Sequence, residues 1–224
     1  MIDAKINKSL MISRIGIFAS LYAVTSFIPI SFFIGAPSFL ALNLVMTPTM
    51  AILLSPVEAL FASLFGGVIS FYLSPAQAMF GPFSILLPMA GATLGSLAFH
   101  NRKIGGILTG GFLGIAIFAY LVRNSPFPFF VSPHIVALGI VSLSIVKGMT
   151  PLKYKVPLYA FVSTMVEQGM MMIFAVYLLG LPWQVFVGIL PLMIYERLIG
   201  AIGGVLIIFA VLKAIPKYSF LNKY

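Results

Sequence analysis

Two opposite charges stand side by side inside a long apolar stretch near the C-terminus. Glu196 and Arg197 occur in "YERLIGAIGG", with uncharged residues on both sides. A charge near the bilayer centre costs about 2.5–3.5 kcal/mol on insertion scales, so it persists where it is paired or lines a wet site. Adjacent helix residues point about 100° apart and pair poorly with each other. Arg197 is therefore expected to seek a partner on another helix.

Glu167 is the candidate partner of Arg197. It lies in "YAFVSTMVEQGMMM", roughly thirteen residues from the external end of its segment, and Arg197 lies about ten residues from its own. At about 1.5 Å per residue, the two depths agree within one helical turn. The same segment carries a polar stripe that should face the bundle interior: Ser163, Thr164, Glu167 and Gln168.

Two interpretations of these polar residues stay open. In the first, four side chains line a substrate cavity at mid-depth that opens to the outside: Glu167, Gln168, Glu196 and Arg197. The guanidinium would hold a carboxylate or phosphate in a bidentate fork, and a glutamate would take a cationic ring or amine. In the second, Glu167 and Arg197 form a structural ion pair that joins the last two helices.

Two further residues are candidates for the substrate site. Trp183, in "GLPWQ", is the only tryptophan. Most such tryptophans are interface anchors, but a ring near a pocket mouth could also stack on a heterocycle. Asn43 follows the first segment in a loop-to-helix stretch and is a similar candidate. Glu58, just after Pro56, is instead expected to complement the dipole at a helix start.

The residues that catalysis or metal binding would need are absent or scattered. The chain has no cysteine and four acidic residues. His100 and His134 are expected at opposite membrane faces, which excludes shared ligation of a metal or haem. His-Glu-x-x-His, Gly-x-Ser-x-Gly and Walker A motifs are absent. The sequence therefore predicts no enzymatic activity, no metal and no cofactor, and any ATP hydrolysis must come from another subunit.

The composition requires a bilayer as the solvent. The chain is 61% hydrophobic and 8% charged, whereas a soluble domain carries about 25% charged residues. No charge occurs from Ile15 to Val57, or from Ala59 to Asn101 apart from the weak base His100. Each run is about twice the roughly 20 residues of one crossing. We expect an all-α, polytopic helical membrane protein with one transmembrane domain over residues 1–224.

Proline, glycine and charge clusters divide the chain into about eight apolar segments, which predicts six to eight membrane segments. Pro48 and Pro56 bracket or interrupt the second, which predicts a partial or broken helix there. The segments cover 10–34, 40–54, 57–74, 82–99, 104–122, 129–147, 157–180 and 186–213.

The basic residues predict the orientation. If the segments alternate, eleven cations fall on one side: Lys5, Lys8, Arg14, Arg102, Lys103, Lys147, Lys153, Lys155, Lys213, Lys217 and Lys223. Only Arg123 falls on the other side, and Arg197 lies within the membrane. This positive-inside pattern predicts a multi-pass protein of the cell membrane with both termini in the cytoplasm. It also explains the net charge of +9 through anionic headgroups, without nucleic acid as a partner.

The predicted external connections carry almost no charge. They are rich in Pro, Gly, Phe and Ser, and they could close over an outward pocket or serve as short links. They cover 35–39, 75–81, 123–128 and 181–185.

Small residues four apart mark helix contact faces in membranes. Ala19 and Ala23 form such a pair in the first segment, and the partner face could belong to this chain or to another subunit. "RIGIFASLYAVTSFIPI" resembles the opening helix of the S components of energy-coupling factor vitamin transporters. "FLALNLVMTPTMAILLSPVEALFASLFGGVISF" and "ILPLMIYERLIGAIGGVLIIFAVLK" are similar to the family's second and third helices and its last helix.

This resemblance implies a function and partners. It implies a substrate-capture subunit for a vitamin or similar small micronutrient, which docks through Ala19 and Ala23 on a transmembrane coupling subunit that works with ATPase subunits. The family has six membrane helices, so some of the eight segments are half-helices or residues 104–155 hold an insertion. Two other functions stay open, namely a proton-coupled secondary transporter with Glu167 as the coupling carboxylate, and a noncatalytic structural subunit.

Overall fold

Eight α-helices and one β-hairpin make up the part of the chain that the computed structural model describes, namely residues 8–32, 39–148 and 151–215. In chain order the elements are α1 (Lys8–Thr25), β1 (Pro29–Phe32), β2 (Phe39–Ala41), α2 (Met46–Leu53), α3 (Pro56–Leu73), α4 (Leu86–His100), α5 (Ile104–Asn124), α6 (Ser132–Lys147), α7 (Leu152–Tyr177) and α8 (Trp183–Ala214). Short 3-10 helices occupy Leu42–Val45, Pro75–Gln77, Gly81–Ile85 and Pro128–Val131.

Six of the described helices are long and apolar enough to cross a bilayer, so the predicted helical multi-pass membrane protein is confirmed. Helix α1 is not among them because Lys8 and Arg14 lower its mean hydropathy. The six spans are Pro56–Leu73, Gly81–His100, Ile104–Asn124, Pro128–Lys147, Leu152–Tyr177 and Trp183–Ala214.

The second predicted segment is a partial helix, as expected from its prolines. A 3-10 helix of four residues leads into α2, which has eight. Together they extend about 18 Å, well short of the roughly 30 Å hydrocarbon core. All eight residues of α2 are buried, so this half-helix lies inside the bundle.

The first predicted segment is wrong beyond Thr25. The chain leaves α1 there and forms the antiparallel β1–β2 hairpin, in which Pro29 pairs with Ala41. Proline disfavours helical backbone at the residue before it, which is Ile28. The rest of that prediction and most of the 35–39 connection fall on residues 33–38, which lie outside the described residues.

Eight of the ten described cations lie at or near helix ends that meet at one end of the bundle, called here the basic end. The Arg14 and Glu58 side chains lie 3.6 Å apart where α3 begins, and the Lys155 ammonium lies 4.3 Å from the Phe99 ring centroid. Glu58 also completes a capping box with Ser55, which confirms its place at a helix start. The predicted cations at Lys5, Lys217 and Lys223 lie outside the described residues.

The opposite end, called here the aromatic end, is held by aromatic rings that pack edge to face. The centroids of Phe130 and Phe186 are 4.8 Å apart, and those of Tyr120 and Phe186 are 5.0 Å apart. Arg123, the cation expected on this side, lies over the Tyr177 ring. These contacts join α5, α7, α8 and the 3-10 helix that precedes α6.

Helix α7 is the central element, and small residues let its neighbours approach closely. Its spanning window is 72% buried, against 28% for that of α8. A Cβ on Gly95 of α4 would lie 2.8 Å from the Ser163 Cβ of α7, and one on Gly204 of α8 would lie 2.7 Å from Pro48 Cγ of α2. The first contact joins α4 to α7, and the second joins α8 to α2.

Ala19 and Ala23 form an intramolecular contact. They are 4% and 5% exposed, and the Ala19 carbonyl would lie 3.1 Å from a Cβ on Gly66 of α3. The pair therefore packs against α3, which is one of the two partners that the sequence left open. Docking of α1 on another subunit stays a prediction, but it would have to use the exposed face of the helix.

Candidate functional site

A polar pocket lies toward the aromatic end, between α1, α3 and α4, with Glu167 of α7 on its wall. It has a volume of about 70 Å³, enough for about five waters. Half of its wall residues are polar, namely Tyr22, Asn43, Ser70, Ser74, Gln77, Ser84 and Glu167. A polar cavity of this kind inside a membrane bundle is a candidate binding site.

Gln77 organises one side of the polar pocket. Its side-chain oxygen accepts a hydrogen bond of 3.0 Å from Asn43 Nδ2. Its amide nitrogen donates to the Ser74 hydroxyl at 3.0 Å and to the Ser26 carbonyl. The 3-10 helix Pro75–Gln77 is thereby tied both to the end of α1 and to the 3-10 helix that precedes α2.

Glu167 and Arg197 form the ion pair that the sequence predicted. Arg197 Nη1 lies 3.7 Å from Glu167 Oε1, and the residues are 2% and 8% exposed. The separation exceeds the 2.7–2.9 Å of a charge-assisted hydrogen bond. On its other side, Arg197 Nη2 donates to the sulfur of Met171 at 3.9 Å.

Several buried polar atoms at this level have no hydrogen-bond partner within the described structure. They are Oε2 of Glu167, Nε and Nη1 of Arg197, the Thr47 hydroxyl and both ring nitrogens of His134. Such atoms cost free energy unless a partner satisfies them. The layer around the ion pair therefore has unused capacity for hydrogen bonding.

A close helix contact positions Glu167. A Cβ on Gly91 of α4 would lie 2.6 Å from Thr47 Cγ2 and 2.9 Å from Glu167 Cβ. The Ser163 hydroxyl donates to the Gly91 carbonyl at 3.0 Å. Only glycine allows α2, α4 and α7 to meet this closely, and the contact sets the rotation of α7 that brings Glu167 to the pocket wall.

Arg197 lines a different space, called here the lateral groove. This groove has a volume of about 270 Å³ and lies between α6 and α8, with α7 as its floor. Apart from Ser132 and Arg197 its wall is apolar: Pro133, Val136, Phe161, Met165, Met193, Ile194 and Leu198. Val136 and Leu198 are 56% and 46% exposed, so the groove opens on the outer surface of the bundle.

The structure divides the predicted site residues. Glu167 and Asn43 line the polar pocket, whereas Arg197 lines the lateral groove. Gln168 and Glu196 are buried at 4% each but line neither space. Trp183 is the first residue of α8, is partly buried and lines neither space. The ion pair between Glu167 and Arg197 is confirmed, whereas a substrate cavity shared by all the predicted residues stays a prediction.

Sequence reasoning missed most of the polar pocket. Tyr22, Gln77 and Ser84 lie on its wall, and His134 is fully buried near the ion pair, beside Gly169. Ser70 and Ser74 also line the pocket, and their spacing of four residues on one helix face was an available signal. Gln77, the only amide in the 75–81 connection, was another.

Among the residues that the structure describes, no three His, Cys, Asp or Glu side chains are close enough to share a metal ion. The polar groups of the pocket are instead hydroxyls, amides and one carboxylate. Such groups recognise a small molecule through hydrogen bonds and charge.

Comparison with known proteins found no matching family model, no matching curated protein and no matching solved structure.

Proposed function

We propose that this chain is the substrate-capture subunit of an energy-coupling factor type importer, with the polar pocket as the site for a vitamin or similar small micronutrient. The observation that carries the proposal is the carboxylate of Glu167 on the wall of a polar pocket inside a membrane bundle. An ionisable group at such a depth marks a functional site by default. The resemblance of "RIGIFASLYAVTSFIPI" and the last helix to S components supports the same function.

The charge distribution supports an outward-facing pocket. With the basic end in the cytoplasm, the aromatic end and the polar pocket face outward across the cell membrane, following the positive-inside rule. The connection that contains Gln77 is tied by hydrogen bonds to the 3-10 helix before α2 and to the end of α1. Release of these bonds would open the pocket, and their formation over a substrate would close it.

Docking on a coupling subunit would use the exposed face of α1. Ser13, Gly16 and Ser20 are exposed there, and a Cβ on Gly16 would meet nothing within 4 Å. Small residues at this spacing let another helix approach closely. In the proposed mechanism the loaded chain reorients in the bilayer when its α1 meets the ATP-driven module.

Native mass spectrometry tests the two parts of the proposal. The chain, purified from its native membranes, should carry a bound small molecule. Its complex should also contain ATPase and coupling subunits that can be identified. Gly16→Leu with Ser20→Leu should remove those subunits and leave the bound small molecule in place. The matched control is Gly111→Leu with Gly139→Leu, since both glycines are exposed with nothing within 4 Å of a Cβ. A complex that survives in the α1 variant would refute docking through this face.

A proton-coupled secondary transporter is the second candidate. The buried pair of Glu167 and Arg197, with unpartnered polar atoms around it, favours it because coupling carboxylates occupy such sites. Liposomes that contain this chain alone separate the two functions. Uptake driven by a pH gradient would support the secondary transporter, whereas uptake that requires an ATPase module would support the importer.

A further inference from the structure

The polar pocket carries one formal charge on its wall, and that charge is negative. Glu167 is the acidic residue among the described wall residues, and no Lys, Arg or His side chain accompanies it. The guanidinium of Arg197 approaches Oε1 from the side of the lateral groove. The pocket therefore does not offer a cationic fork to a carboxylate or phosphate.

The two side-chain amides of the pocket already use their nitrogens as hydrogen-bond donors within the protein. Gln77 uses its amide nitrogen on Ser26 and Ser74, and Asn43 uses its own amide nitrogen on Gln77. Oε2 of Glu167 is buried and has no hydrogen-bond partner among the described residues. A ligand group that donates a hydrogen bond to the carboxylate of Glu167 fits this wall, because a second acceptor beside the carboxylate would leave both acceptors without a donor.

We propose that the polar pocket selects a small organic cation, an ammonium or amidinium group whose N–H donors reach the carboxylate of Glu167, and this assignment rests on the pocket being the substrate site proposed above. The volume of about 70 Å³ suits such a head group. The apolar part of the ligand lies against Ile85, Leu87 and Pro88, which complete the wall on the side of α4.

Three planar probes of equal size and different charge test the proposal: acetamidinium, acetamide and acetate. Their binding to the purified chain in neutral detergent is followed by ligand-observed NMR titration. Acetamidinium should bind at least about tenfold more tightly than the other two, which corresponds to one charge-assisted hydrogen bond. Equal or tighter binding of acetate, or no binding of acetamidinium, would overturn the proposal.

A pair of matched variants assigns the preference to Glu167. Glu167→Gln should lower acetamidinium affinity about tenfold and leave acetamide binding unchanged. Glu58→Gln removes another buried, arginine-paired carboxylate at the basic end and should change neither. Equal effects of the two variants would contradict the assignment. If Glu167→Gln does not fold, Glu167→Asp retracts the carboxylate by one methylene and should still weaken acetamidinium selectively.

These measurements use the chain alone, so they are independent of any coupling module. If the pocket shows a Glu167-dependent cation preference but the native complex contains no ATPase or coupling subunits, the ligand class is supported and the importer is contradicted. An importer complex with a pocket that prefers acetate would do the reverse.

Discussion

The polar pocket and the lateral groove lie on opposite sides of one ion pair and differ in nearly every other respect. Seven of the fourteen pocket wall residues are polar, against two of the nine groove residues. The pocket lies between helices toward the aromatic end, whereas the groove opens on the surface that faces lipid. Helix α7 contributes to both, with Glu167 on the first and Met165 on the second.

This difference shows that an ion pair need not define a single site. The ion pair of Glu167 and Arg197 joins α7 to α8. Only the carboxylate of Glu167 faces a space with other polar groups. The guanidinium faces the apolar lateral groove and stabilises the carboxylate of Glu167 from the side away from the polar pocket. In the proposed function, ligand recognition therefore belongs to Glu167 and structural support to Arg197.

Removal of the guanidinium should give the largest loss of stability. In Arg197→Met, the carboxylate of Glu167 stays buried without its counter-charge, which costs about 3–5 kcal/mol. Thermal unfolding in detergent, followed by the fluorescence of the single tryptophan Trp183, measures the loss. Adding Glu167→Gln to the variant should recover most of it. The control is Arg123→Met, which removes an exposed cation over the Tyr177 ring. An equal loss of stability in that variant would show that the buried pair contributes no more to stability than an exposed cation does.

Filling the helix contact behind Glu167 should have the next largest effect. Gly91→Val places methyl groups where a Cβ alone would lie 2.6 Å from Thr47 Cγ2. Such overpacking costs about 1–3 kcal/mol, and it should also turn Glu167 away from the polar pocket and weaken acetamidinium binding. In the control, Gly111→Val on α5, a Cβ meets nothing within 4 Å. Unchanged binding and stability in Gly91→Val would mean that α4 does not set the position of Glu167.

The depth of the ion pair in the membrane could be predicted from the sequence, but the side of the bundle that each partner faces could not. Helix rise is constant, so residue counts along α7 and α8 placed Glu167 and Arg197 at one level. The side of the bundle that each faces depends on helix rotation, which contacts such as Gly91 with Thr47 decide. Those contacts join residues far apart in the chain and leave no local pattern.

The number of apolar segments could also be predicted from the sequence, whereas the residues at which they end could not. Eight predicted segments correspond to eight described helices, because Pro, Gly and charged residues separate them. The hairpin after Thr25 was not predicted because its residues are as apolar as those of a helix. Pro29 is the main signal against a helix there. The serines of the pocket were not predicted as site residues because single hydroxyls are common in membrane helices.

Cutting the hydrogen bonds of Gln77 should have a smaller effect that is confined to the polar pocket. Gln77→Leu keeps a similar volume but removes the bonds to Asn43, Ser74 and Ser26, with a cost of about 1 kcal/mol. Hydrogen exchange should rise at Ser26 and in the 3-10 helix before α2. Asn43→Ala tests the same bond from its other end. Additive effects of the two variants would show that Asn43 and Gln77 are not coupled.

Filling the lateral groove should have the smallest effect. In a bilayer, lipid tails are as apolar as the groove wall, so an exposed apolar side chain gains or loses little there. Val136→Phe adds a ring at a position that is 56% exposed, and stability should stay within about 0.5 kcal/mol of the original. Acetamidinium binding should also stay the same, because the ion pair lies between the groove and the polar pocket. Ser70→Phe, the matched change on the pocket wall, should abolish binding. Loss of binding in both variants would mean that the two spaces act as one site and that the division of roles between Glu167 and Arg197 is wrong.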